Sequence, residues 1–280
     1  MIARATGRLA GAQRTALRWY RWDVAEARGG VLLVHGFGDH AGRFPDVVRV
    51  LGARGYSVLA YDARGHGASE GPRGHADRFD LFLADLDALW MEAERSLRGR
   101  RFLYGHSFGG LTVMRWLQTR PHRPAGVVLS APWLATRVRV PAGKRLIARV
   151  LLRVAPALAI PSGANVPEYL TRDRERVAAY LEDPLIHHRI SARFHAEATA
   201  AQDAARAASL PAEVPVLLLV PGSDALVDAQ ATLEWARKLG SWVDVRVREG
   251  GRHELHSDLD REEALTALAD WLDARAGPNP

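Results

Sequence analysis

An α/β chain with a mostly parallel central sheet, helices on both faces and a helical insertion is the fold class this sequence predicts. Two observations predict it: short apolar runs alternate with amphipathic helical patterns, and that alternation stops in one internal stretch. In chain order, strand patterns fall at 16–24, 31–34, 56–61, 101–104, 126–130, 215–220 and 242–248. Helical patterns lie at 43–54, 79–97, 107–119, 229–239 and 260–275. The run 31–34 is unbroken and apolar, as a strand buried on both faces requires, and the run 102–104 ends at a glycine. The run 216–220 is also continuous, whereas 242–247 alternates apolar and polar residues. Between Pro132 and about Leu210 the alternation gives way to a stretch punctuated by Pro132, Pro141, Pro156, Pro161, Pro167 and Pro184. The expected plan is a core in two parts, 1–131 and 211–280, with 132–210 inserted as a helical cap.

The chemistry-bearing residues gather where these strands end. Gly105-His106-Ser107-Phe108-Gly109 follows a strand and opens a helix, the pattern of a nucleophile elbow. A serine on so sharp a turn holds strained backbone angles, which small neighbours permit, and a helix N-terminus behind it favours negative charge. Asp224 follows the strand at 215–220 and His253 follows the strand at 242–248, so serine, acid and histidine share one rim of a parallel sheet. Their order along the chain is that of a Ser–Asp–His triad. Asp228 is a rival for the acid, although its place suits the cap of the next helix. His256 is a rival for the histidine, further from the strand end. The spacing His253-Glu254-Leu255-His256 is one residue short of a zinc-binding His-Glu-x-x-His, and the adjacent His187-His188 suit a surface or pocket rim, so no metal is expected. The strand 31–34 runs into His35-Gly36-Phe37-Gly38, where the N–H of Phe37 is placed to face that of Phe108 as a pair of oxyanion donors. This loop lacks both common nucleotide-loop spacings, and no cofactor is expected.

These motifs resemble the monoacylglycerol lipase and lysophospholipase branch of the α/β-hydrolase superfamily along most of the chain. The matching blocks are 35–43 (HGFGDHAGR), 61–71 (YDARGHGASEG), 105–110 (GHSFGG), 129–132 (LSAP), 183–187 (DPLIH), 222–228 (GSDALVD), 249–253 (EGGRH) and the closing helix with Trp271 and Leu272. The resemblance implies an α/β-hydrolase fold with Ser107 as nucleophile, His253 as base, Asp224 as its orienting acid, and Phe37 and Phe108 as oxyanion donors. It implies hydrolysis of medium- to long-chain monoacylglycerols through an acyl-enzyme, with lysophospholipids as second substrates. A broad carboxylesterase shares every one of these residues, while an acyltransferase or a non-catalytic binding protein is a more distant alternative. Two departures stand out. Phe108 replaces the family's usual methionine, where only the N–H is needed, and Pro221 ends the strand where the family places a glycine nearer the acid.

Composition is consistent with this reading. The chain has 280 residues, 48% of them hydrophobic, which suits one large α/β unit with an insertion. It has no cysteine, which excludes disulfides and suits a reducing, cytoplasmic setting. The N-terminus carries basic residues without the apolar core of a secretory signal, and no stretch approaches the length of a membrane span. Charge is uneven: residues 95–167 hold 13 arginines and lysines and no carboxylate. Within them Arg145, Arg149 and Arg153 recur every fourth residue on a helical pattern, among Leu146, Ile147, Val150, Leu151, Leu152 and Val154. Such a basic amphipathic helix suits peripheral contact with an anionic inner-membrane surface or a cap helix with solvated arginines. No recognition motif or aromatic series accompanies the charge, so no nucleic acid is expected as a partner.

Overall fold

The computed structural model describes residues 3–138, 142–162 and 166–277. Pro141, Arg139 and the first two residues, used in the reading above, lie outside the described residues. In chain order come β1 (Ala3–Ala10), β2 (Ala16–Asp23), β3 (Gly29–Val34), α1 (Pro45–Ala53), β4 (Tyr56–Tyr61), α2 (Asp80–Ser96), β5 (Arg100–His106), α3 (Phe108–Thr119) and β6 (Gly126–Ser130). The connection onward carries α4 (Ala142–Val154), β7 (Ala159–Pro161), α5 (Arg174–Glu182), β8 (Arg189–Ser191) and α6 (Ala192–Ala207). The chain closes with β9 (Val216–Pro221), α7 (Ala229–Leu239), β10 (Val243–Arg248) and α8 (Arg261–Ala276).

Eight strands form one sheet in the order β1-β2-β4-β3-β5-β6-β9-β10. β1 pairs antiparallel with β2 and β2 with β4, while every pair from β4 to β10 is parallel. The connection after β3 runs to β4 on one side, and the connection after its other neighbour β5 runs to β6 on the opposite side. The crevice beyond the ends of β3 and β5 is therefore the switch point at which open α/β sheets bind ligands.

Helices on both faces explain why the strand sequences are continuous rather than alternating. Leu32, Val34, Leu103, Leu129 and Leu218 face one cluster with Leu86, Trp116, Phe194 and Trp235 of α2, α3, α6 and α7. Val31, Leu33, Phe102, Tyr104, Val128 and Leu217 face the other, with Val47 and Leu51 of α1 and Leu265, Leu268 and Leu272 of α8. A residue pointing either way thus meets apolar neighbours. The edge strand β10 keeps a half-exposed face, and its sequence alternates accordingly.

Three features were not apparent in the sequence. β1 (ARATGRLA) has no apolar run; it is held as an edge strand by its ladder to β2 and by Arg4 lying over the Tyr20 and Trp22 rings, 5.0 and 5.7 Å away. β7 and β8 have three residues each and pair only with one another, too short to register as a pattern. Within 132–210, α6 does not lie apart from the sheet layers: Phe194, Ala198, Ala201 and Ala205 join the core beside α3. By contrast α4 buries none of its side chains.

Candidate active site

β5 delivers Ser107 at the sheet rim with φ 52° and ψ −115°, a conformation L-residues seldom adopt. The turn is possible because its neighbours are glycines. A Cβ on Gly105 would come within 2.7 Å of the Gly109 carbonyl oxygen, and one on Gly109 within 2.2 Å of that of Val34. Three backbone hydrogen bonds hold the turn: the Ser107 N–H donates to Ser130 O (2.9 Å), and the Leu111 and Trp133 N–H groups donate to Ser107 O (both 3.0 Å).

The structure brings the three predicted side chains together. His253 Nε2 lies 2.9 Å from Ser107 Oγ, and His253 Nδ1 lies 2.7 Å from Asp224 Oδ2. A carboxylate can only accept, so Nδ1 carries the proton toward Asp224 and Nε2 faces the hydroxyl as an acceptor. Asp224 is held by its other oxygen, which accepts the N–H groups of Leu226 (2.8 Å) and Val227 (3.0 Å). Burial opposes charge on Asp224, but the adjacent imidazole and these N–H donors hold its carboxyl below the usual range. Burial likewise opposes charge on His253, yet the Asp224 carboxylate outweighs it and raises the imidazole pKa, with Glu254 and Asp39 adding to the effect.

The rivals take other places. Asp228 caps α7, accepting the Ala231 N–H at 3.2 Å. His256 stacks on Phe44 with ring centroids 4.3 Å apart, and burial pushes its pKa down to about 4. His187 accepts the Arg189 N–H through Nδ1 and stands edge-on to Phe37, 5.4 Å between centroids. The His188 ring lies against Tyr180, 5.6 Å away. Among the described residues no three His, Cys, Asp or Glu side chains are grouped to hold a metal ion.

Phe37 leaves β3 directly opposite Phe108, the first residue of α3, with ring centroids 6.1 Å apart. An N–H at that helix position has no acceptor within the helix. The loop carrying Phe37 is braced from below. His35 Nδ1 donates to Gly36 O (2.7 Å) while its Nε2 accepts the Ala63 N–H (2.9 Å). Asp62 accepts the Ala41 and Ala68 N–H groups (2.9 and 2.8 Å) and the Tyr20 hydroxyl (3.1 Å). Arg64 is clamped by buried Asp85 at 2.6 and 2.7 Å. The block 61–71 is therefore bracing rather than chemistry. A cleft at Ser107 is lined by Phe37, Trp133, Leu170, Leu226 and Val227, and also by Asp39, Arg43 and Glu254. Sequence reasoning had not assigned these three. Asp39 and Arg43 lay inside a quoted motif, and the one signal for Glu254 was its place beside His253.

This fold, with Ser107, His253 and Asp224 hydrogen-bonded in series at its strand ends, is that of a carboxylic ester hydrolase of the α/β-hydrolase class. The family described as serine aminopeptidase S33 (Hydrolase_4) matches residues 25–260, and the chain belongs to it, among its monoacylglycerol-lipase-type members. It is 32% identical to the monoacylglycerol lipase of Mycolicibacterium smegmatis over 88% of this chain and 89% of that one. It is 28% identical to phospholipase YtpA of Bacillus subtilis over 91% and 98%. The crystal structure of Paleococcus ferrophilus monoacylglycerol lipase superimposes with a TM-score of 0.81 at 32% identity, covering 98% of this chain and 99% of that one. A longer abhydrolase-domain protein of Dictyostelium discoideum is matched over only 26% of its length.

The electrostatics make a direct prediction. In a histidine NMR titration of the protein, His253 should titrate above the ordinary value of about 6.5 and His256 far below it. A His253 midpoint at or below that value would contradict the geometry described.

Proposed function

We propose that the chain hydrolyses medium- to long-chain monoacylglycerols to fatty acid and glycerol through an acyl-enzyme on Ser107. The observation that carries this reading is the continuous relay from Asp224 through His253 to Ser107 Oγ in a cleft that Phe37, Trp133, Leu170, Leu226 and Val227 help to line. His253 Nε2 takes the hydroxyl proton as Ser107 attacks the ester carbonyl, and Asp224 stabilises the imidazolium that forms. The N–H groups of Phe37 and Phe108 receive the oxyanion, each such donor being worth roughly 3–4 kcal/mol in a comparable site. The imidazolium then protonates the departing alcohol, and water activated by the same histidine releases the acid. Residues from 132–210, including Trp133, Leu170 and Tyr180, wall the cleft and act as its cap. The named activities of the relatives support a lipid ester, and the phospholipase among them makes lysophospholipids the second reading.

Contact with a membrane surface is the second part of the proposal. On α4, Leu146 (63% exposed), Ile147, Val150 and Val154 face solvent, with Arg145, Arg149 and Arg153 exposed on the same helix. An apolar stripe flanked by cations is the surface that lies in a lipid headgroup region. No helix among the described residues is long and apolar enough to cross a membrane, and the proposal places the chain in the cytoplasm, at the inner membrane surface when docked.

A substrate panel tests the first part: monolauroyl- and monooleoylglycerol, a triacylglycerol, lysophosphatidylcholine and p-nitrophenyl esters from C2 to C16, each against Ser107→Ala. Monoacylglycerol turnover should dominate and vanish in the variant; activity confined to short p-nitrophenyl esters would refute a lipid substrate. For the second part, the protein should co-sediment with anionic vesicles at low salt, and Ile147→Glu with Val150→Glu should abolish that. Equal sedimentation of both proteins would refute docking through α4.

A further inference from the structure

The two loops that must cooperate in the reaction arise from distant strands. The loop after β3 carries Phe37, and the loop after β10 carries His253, while β5, β6 and β9 stand between those strands in the sheet. No ladder can fix one loop relative to the other. A buried ion cluster spans the gap instead. Arg43, in the turn that follows the Phe37 loop, donates through Nη1 and Nη2 to the two carboxylate oxygens of Glu254 (2.7 and 2.8 Å). Its Nη1 also donates to Asp39 Oδ1, two residues beyond Phe37, at 3.2 Å. Its guanidinium lies 4.8 Å from the centre of the Tyr180 ring of α5.

Glu254 is the residue next to the catalytic histidine, and every part of it is engaged. Its N–H donates to Leu170 O (2.8 Å), and its Oε2 also accepts the Ser257 hydroxyl (2.8 Å). The carboxylate is 2% exposed, and despite that burial Arg43 holds it firmly ionised. The fork of a guanidinium on a carboxylate fixes orientation as well as distance, which a single-point ammonium cannot do. A second contact joins the two loops, Phe44 stacked on His256 with ring centroids 4.3 Å apart.

We infer that the Arg43–Glu254 pair is a positioning device that sets His253 relative to the oxyanion loop. The inference rests on the proposed triad. Two separable effects follow. Geometrically, loosening the fork lets the imidazole and the oxyanion donors drift apart, which lowers the rate of chemistry even for substrates with no glycerol to recognise. Electrically, the groups facing His253 are Asp224 after β9, Ser107 and His106 at the β5–α3 turn, Asp39 and Arg43 after β3, and Glu254 and His256 on its own loop. Among these, the Glu254 carboxylate favours the charged imidazole, second only to Asp224 among the carboxylates. Removing its charge must therefore lower the pKa of His253.

The test compares wild type, Glu254→Gln, Arg43→Lys and Ser107→Ala on p-nitrophenyl butyrate and monolauroylglycerol, with circular-dichroism melts as controls. In Glu254→Gln the acid limb of kcat/KM should move to lower pH, and kcat should fall about 10- to 100-fold on both substrates. In Arg43→Lys the charge remains but the fork is lost, so kcat should fall on both substrates while the acid limb stays in place. Arg43→Lys keeps the inference testable if Glu254→Gln does not fold. Loss confined to KM on monolauroylglycerol would overturn it, because the pair would then contact only the alcohol. Unchanged kcat in a folded Arg43→Lys, or an unmoved acid limb in a folded Glu254→Gln, would overturn it equally. Full activity in Ser107→Ala would instead overturn the triad itself.

Discussion

Ser107 sits at φ 52° and ψ −115°, a conformation that costs an L-residue about 1–3 kcal/mol, and much of the surrounding structure serves to hold it there. The close approach of α3 to β3 and β5, possible only with glycine at 105 and 109, confines the turn sterically. The hydrogen bonds to Ser130, Leu111 and Trp133 confine it chemically and tie it to β6, α3 and the start of the β6–β9 connection. A hydroxyl fixed in this way needs no rearrangement to meet His253. The orientation of the histidine is secured in turn by Asp224, itself held by two N–H groups of its own loop.

Around that turn the protein buries several charged and imidazole side chains. Asp39, Asp62, Arg64, Asp85, His106, Glu254 and His256 are all under a tenth exposed, and most serve to pin loops at the sheet rim. Loops have no ladder of their own, so the rigidity that a strand obtains from its neighbours must come here from side chains. Asp62 and His35 brace the Phe37 loop from the side of β4, and Arg43 reaches across to the histidine loop. Asp258 accepts the N–H groups of both Arg252 and Arg172, joining the histidine loop to the segment before α5.

The fold was legible wherever burial leaves a one-dimensional trace. Leu32 and Leu33 face opposite clusters, and only a strand covered on both sides tolerates that, so unbroken apolar runs reported the central strands. Ser107 and Asp224 follow such runs and His253 follows an alternating one, and those strand ends are where the structure brings the three side chains together. What escaped were interactions whose partners are far apart in sequence. Glu254 is ordinary in its local window, and its meaning depends on Arg43, more than two hundred residues away. The ring of Arg4 contacts that holds β1, and the apolar face by which α6 joins the core, depend in the same way on neighbours that no local pattern discloses.

In the proposed reaction one strained serine, activated by His253, is the reacting group. Labelling the intact protein with a long-chain fluorophosphonate, followed by peptide mass spectrometry, tests it most directly. A single adduct, on Ser107, should form rapidly in the wild type and at least about a hundredfold more slowly in His253→Ala. An adduct on any other residue, or labelling that ignores the histidine, would contradict it.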